Sequence, residues 1–187
     1  AFVIAGPELR LVLDRRQGAV AELQLSARPF WTGARPNFYR PPTGIDTAGA
    51  GAGIVRAWRE AGLDRLTFSC RDSRAIQLHA GEVLMETVVE AAPPDTAPIF
   101  RCHGRWWVKS DGTVAIEQSV TPLAPGLPPL PRIGLSLELP GDFTRLEWFG
   151  RGPWENYPDR KSAAMVGRYA ATVTEQHYPF IVPCECG

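Results

Sequence analysis

The chain has 187 residues with 20 basic and 20 acidic side chains, a formal net charge of zero. That balance excludes the basic footprint of a nucleic-acid binder, and no run of like charges marks a polybasic tail. A hydrophobic content of 44% excludes wholesale disorder, and four cysteines are too few for a disulfide scaffold of this length.

No apolar stretch approaches the ~18 residues of a membrane span. The start, Ala1-Phe2-Val3, has neither an initiator Met nor the charged segment of a signal peptide, so a cut from a longer cytoplasmic chain is expected. With 18 glycines and 18 prolines, many short elements fit better than a few long helices.

In chain order, Leu9, Leu11 and Leu13 alternate with Glu8, Arg10 and Val12, as a strand with one buried face does. Asp14 to Gly18 reads as a turn, with Gly18 free to take a positive φ. Ala19, Ala21, Leu23 and Leu25 then supply the return strand. Asn37-Phe38-Tyr39-Arg40-Pro41-Pro42 reads as extended chain, its prolines fixing how Arg40 projects. The segment 48–66 is expected to be a moving flap or a disordered loop. Within it, Ile54, Val55, Trp58 and Leu63 have helical spacing, and Gly62 sits where a glycine ends a helix.

Further strands are expected at 76–80, with Ile76, Leu78 and Ala80 inward and His79 outward, and at 83–91. A hairpin follows from Phe100 to Val108, turning at Ser110-Asp111-Gly112 and returning through Val114 to Val120. Cys102 falls on its apolar face with Phe100, Trp106 and Val108, while His103 falls opposite. Ile133 to Leu139 and Leu146 to Phe149 supply two more strands. A short turn is expected over 159–166, and the proline-rich stretches 92–98 and 122–131 belong in surface connections. The fold expected is all-β, a single antiparallel β-sandwich domain over residues 1–187.

Chemistry is sparse. There is no GxSxG, no phosphate-cradling glycine loop and no HExxH. His79 and His103 read as exposed strand residues, and the role of His177 stays open. Cys184-x-Cys186 near His177 lacks the spacing of a closed zinc site, so no metal site is expected.

The dense constellation runs from Trp148 to Tyr169, WFGRGPWENYPDRKSAAMVGRY. A glycosidase needs two carboxyl groups about 5–10 Å apart, and Glu155 and Asp159 meet that distance if the chain turns between them. Trp154 and Tyr157 would offer rings to a sugar. The other reading is a structural latch in which Arg151 and Arg160 hold Glu155 and Asp159, with Asn156 in the same turn. The arginines favour the latch, because a carboxylate so held has a lowered pKa.

GRGPWENYPDRKSAAMVGRY resembles the signature of the last domain of glycoside hydrolase family 2 β-galactosidases, the C-terminal, small-chain region. LDRRQGAVAEL, NFYRPPTGID, AWREAGLDRL and LPRIGLSLELP resemble successive blocks of that domain, in order, across nearly the whole chain. The resemblance implies a galactose-mutarotase-like supersandwich, of which this chain supplies the N-terminal half to two-thirds. It also implies that the catalytic glutamates lie on a barrel domain elsewhere, so that Glu155 is not one of them and the segment alone is inactive.

The loop resembling 58–66, with Trp58 and Gly62, would lie beside the sugar pocket. Cofactors are implied only for the full-length enzyme, Mg or Na held by residues not present here. The implied partners are other domains of the same polypeptide, a β-galactoside and further copies of the enzyme. Gly44-Ile45-Asp46 and Cys186 depart from the family's usual residues. A stand-alone carbohydrate-binding module using Trp154 and Tyr157 is the alternative function.

Overall fold

The computed structural model describes residues 1–42, 44–47, 52–154 and 161–177. Strand accounts for 56% of it and helix for 12%. The chain divides into two compact units, Ala1–Arg40 with Gly53–Pro140, and Pro41–Ala52 with Gly141–Gly187.

The larger unit contains two antiparallel sheets. Strands β1 (Phe2–Ala5), β2 (Leu9–Asp14), β3 (Ala19–Leu25), β4 (Arg28–Asn37) and β9 (Gly134–Glu138) pair in that spatial order. Strands β5 (Thr67–His79), β6 (Glu82–Ala92), β7 (Phe100–Lys109) and β8 (Val114–Pro122) form the second sheet as successive hairpins. One apolar cluster joins them: Leu9, Leu11, Leu13, Val20, Leu23, Trp31 and Ala34 from the first sheet, Met85, Trp106 and Val108 from the second. Two sheets each with one apolar face bury both by packing face to face, which is the expected sandwich.

The β2–β3 turn forms as its residues dictate. The Asp14 carboxylate accepts the backbone N–H of Arg16 at 2.7 Å, and the Gly18 N–H donates to the Asp14 carbonyl at 2.8 Å. Gly18 has φ +65°, and a Cβ there would lie 2.4 Å from the Val89 side chain, so both conformation and space require glycine.

A second cluster occupies the other end of the β5–β8 sheet. Phe38 stacks on Phe100 with ring centroids 4.3 Å apart. Val55, Trp58 and Leu63 cover Val89, Ala91, Phe100 and Cys102. Burial pushes the Cys102 thiol up to about 11, the inert core residue its strand position predicts.

Several expectations need correction. Val20, not Ala21, is buried, because the β2–β3 register shifts between Val12 and Leu13. Ile76 and Leu78 are exposed. Irregularities between Cys70 and Asp72 and between Gln77 and His79 reset the alternation of β5, and such a slip changes which side chains face the core. Of the strand expected over 133–139, β9 forms only from Gly134 to Glu138; Leu135 packs on the core, while Leu137 and the flanking Ile133 and Leu139 are exposed.

The segment 52–66 is no loop. It is the helix α2 (Ala52–Glu60) and a 3₁₀ turn (Leu63–Arg65), held by the apolar surface it buries; residues 48–51 lie outside the described residues.

The smaller unit contains a helical turn, α1 (Gly44–Thr47), and an antiparallel ribbon of β10 (Arg145–Gly152) and β11 (Met165–Thr172). The turn expected to reach Val166 gives way to β11 from Met165, after a 3₁₀ turn at Lys161–Ala163.

Candidate functional site

Helix α2 and its terminal turn carry the two residues that sequence reasoning places near a sugar. The helix ends where Gly62 takes φ +69° and its N–H donates to the Arg59 carbonyl at 3.0 Å. This is the left-handed helix stop that glycine supplies without steric cost. A Cβ at Gly62 would lie 2.7 Å from both Cβ and Cγ of Pro93. The Arg65 guanidinium reaches back to the Arg59 carbonyl at 2.9 Å, satisfying a C-terminal acceptor of the helix.

Trp58 fixes the helix on the sheet. Its indole is 3% exposed, and Nε1 donates to the Pro129 carbonyl at 2.8 Å. Tyr39 meets the ring edge-on at 6.4 Å, and the Arg40 guanidinium lies 5.4 Å from the ring centroid, within cation–π range. Trp58 is therefore an anchor whose ring is covered on several sides. Beside it, a hollow of about 780 Å³ opens between the end of α2 and the two proline-rich connections, lined among others by Ala57, Glu60, Arg65, Pro93 and Pro125.

Arg151 lies in the smaller unit. Its Nη1 donates to the carbonyl oxygens of Lys161 and Ala164, each at 2.8 Å. Nearby, the Trp148 indole donates to the Arg151 carbonyl at 3.0 Å, and the Tyr169 hydroxyl donates to the Met165 carbonyl at 2.9 Å. A guanidinium spent on two carbonyls closes a loop. The expected partnerships of Glu155, Asn156, Tyr157, Asp159 and Arg160 lie outside the described residues, as do Cys184 and Cys186. Trp154 is exposed.

His79 forms a 2.7 Å contact with Glu82 at the β5–β6 turn, and His103 is exposed on β7. Among the described residues, no group of three or more His, Cys, Asp or Glu side chains is placed to hold a metal ion. Nor is any described helix long and apolar enough to cross a membrane.

Sequence reasoning missed the two arginine–glutamate rows on the outer face of the β5–β8 sheet. Glu90 accepts from Arg71 and Arg101, both at 2.7 Å. Glu86 is held by Arg74 and Arg105, and Arg105 also reaches Glu117. Both glutamates are held below the ordinary carboxylate range, Glu90 first by Arg101 and Glu86 first by Arg74. The signal was present as charges at alternate positions of β6 and β7, but their pairing needed the register.

The sequence matches the family described as beta galactosidase small chain over residues 5–187. The chain belongs to that family. It is 41% identical over 160 residues to a β-galactosidase of Vibrio cholerae, covering 82% of this chain and 15% of that protein. It is 34% identical over 190 residues to one from Psychromonas ingrahamii, covering 98% of this chain and 18% of that protein. A β-galactosidase of Priestia megaterium is 30% identical across 100% of the chain and 17% of its own length. The small-chain match thus spans less than a fifth of these curated relatives.

Proposed function

We propose that this chain is the accessory C-terminal domain of a β-galactosidase, shaping one wall of the sugar pocket and packing on other domains of the same polypeptide. The observation that carries this reading is the small-chain match over residues 5–187, set against relatives of which it spans 15 to 18%. Hydrolysis of a terminal β-galactoside with retention needs a nucleophilic carboxylate and an acid/base carboxylate. In this reading both belong to the rest of the enzyme.

Three features support a structural assignment for this chain's glutamates. Glu86 and Glu90 are each neutralised by two arginines, and Glu175 is held below its ordinary range by hydrogen bonds from Thr172. A carboxylate so held is a poor proton donor at neutral pH. The turn at Gly62 lies beside the sugar in this reading, with Trp58 holding it from behind. Latch duty falls to Arg151, Glu155, Asn156, Tyr157, Asp159 and Arg160. Any Mg or Na would be held by residues elsewhere in the enzyme, which would act in the cytoplasm as an oligomer and share the supersandwich form.

The test is a Glu→Gln scan of this chain within the full-length enzyme, assayed on a chromogenic β-galactoside. Each variant, Glu155→Gln included, should keep kcat within about tenfold of wild type, whereas loss of a general acid–base costs roughly 10²–10⁴-fold. A loss of that larger size at unchanged melting temperature would move catalysis into this chain. A full-length protein that binds galactosides without hydrolysing them would favour a binding module.

A further inference from the structure

The outer face of the β5–β8 sheet carries a groove of about 510 Å³ that the latch and the α2 turn do not use. One wall is the cross-strand row Arg74, Glu86, Arg105 and Glu117, which stand directly opposite one another through the three strand pairings. The other wall is the row Asp72, Val88, His103 and Ser119, aligned by the same register. Thr87 and Gly104 lie between the rows and complete the lining. Both are inner-face positions, since Thr87 is buried and a Cβ at Gly104 would meet the Thr87 hydroxyl and the Trp106 indole, so they floor the groove with backbone alone.

The two walls differ in how their polar groups are engaged. On the first, each guanidinium and carboxylate is tied to a neighbour, so the side chains are held in place before any ligand arrives. Arg105 spends Nε and Nη1 on Glu86 and Glu117 and keeps Nη2 as a donor. On the second, no described residue forms a hydrogen bond or ion pair with the Asp72 carboxylate, the His103 imidazole or the Ser119 hydroxyl. Three unengaged polar groups of different type therefore face a preset row of donors and acceptors.

Charge selects the ligand. The groove is lined by three carboxylates and two guanidiniums, so an anion such as phosphate meets a net negative wall, and a cation meets Arg74 and Arg105. A neutral ligand rich in hydroxyls suits both rows, because each hydroxyl donates to a carboxylate while accepting from a guanidinium or imidazole. Three strand spacings of about 4.8 Å make the row about 14 Å long, the span of a short oligosaccharide. A volume of about 510 Å³ falls within the range of small-molecule sites. Trp107 stands two residues beyond Arg105 on the same face, with Leu84 and Ile76 in its row, an apolar platform at the groove's end.

We propose that the groove between Asp72–His103–Ser119 and Arg74–Glu86–Arg105–Glu117 is a binding site for a short neutral oligosaccharide. Only the larger unit's own residues build it, so it stands independently of where catalysis lies.

The test uses the full-length protein and the glucose-only probes maltotriose and cellobiose, which carry no galactoside and so report on this groove whatever the hydrolytic activity. Isothermal titration should give saturable binding with Kd near the millimolar range, weakened at least about tenfold in D72A/H103A/S119A. These side chains make no bonds within the described fold, so the melting temperature of the variant should match wild type and certify folding. Absence of binding at about 10 mM probe, or binding that the triple variant retains, overturns the proposal. Saturable binding of inorganic phosphate that the triple variant loses also overturns it, in favour of an anion site.

Discussion

The indole Nε1 of Trp58 donates to the carbonyl oxygen of Pro129 across 71 positions of sequence, at 2.8 Å. That bond ties helix α2 to a proline-rich connection with few backbone donors of its own. Trp58→Phe keeps an aromatic side chain but removes the donor, and a hydrogen bond at this partly buried place contributes about 0.5–1.5 kcal/mol. Thermal unfolding should report its loss as a lower Tm. An unchanged Tm would mean that water or another donor takes the place of the indole.

Gly62 and Pro93 form the second restraint on the same turn. Gly62→Ala puts a Cβ at φ +69°, about 1–2 kcal/mol of backbone strain, and drives it against the Pro93 ring. Pro93→Ala removes one of the two crowding atoms, so the double variant should recover part of the loss. A coupling of about 0.5 kcal/mol or more in the double-mutant cycle is expected. A coupling near zero would place Pro93 out of contact. If Gly62 adjoins the sugar as proposed, Gly62→Ala in the full-length protein should also raise KM for a galactoside more than it lowers kcat.

Glu90 gives a pH signature. Arg101 and Arg71 hold its folded pKa below the ordinary 4.5, so its contribution to stability is complete above that value and is lost as the pH falls through the folded pKa. Glu90→Gln should therefore be less stable than wild type near neutral pH, and the two melting curves should converge in acid. Curves that stay a constant distance apart from neutral pH into acid would show that the ion pairs contribute nothing.

Arg151→Ala removes two charge-assisted bonds to the carbonyls of Lys161 and Ala164, each worth roughly 1.5–3 kcal/mol in a folded protein. The expected outcome is a lowered Tm with kcat per folded active site unchanged. Lost hydrolysis at unchanged Tm would contradict a purely structural part for this side chain.

Where one local period governed, the sequence was readable. Leu9, Leu11 and Leu13 are all buried, Phe100 to Val108 alternates as expected, and Gly62 adopts the conformation its place at the helix end demands. The misreadings sit where pairing partners override the period. No element is expected over β4, which carries Pro29, Gly33 and Pro36, yet the strand tolerates Gly33 at φ +65° beside an irregularity between Thr32 and Arg35. β5 holds two such irregularities, and Ile76 faces out as a result. The groove on the outer sheet was illegible for a related reason: Asp72, His103 and Ser119 lie far apart in sequence and meet only through three separate strand registers.

The two apolar clusters rest on the same pair of strands. β6 and β7 contribute Met85, Trp106 and Val108 to one, and Val89, Ala91, Phe100 and Cys102 to the other. These strands act as a shared keel, so peeling α2 away uncovers the far end of a sheet whose near end still seals the sandwich. Amide protons along the middle of β6 and β7 are then guarded from both ends and should be among the slowest of the larger unit to exchange.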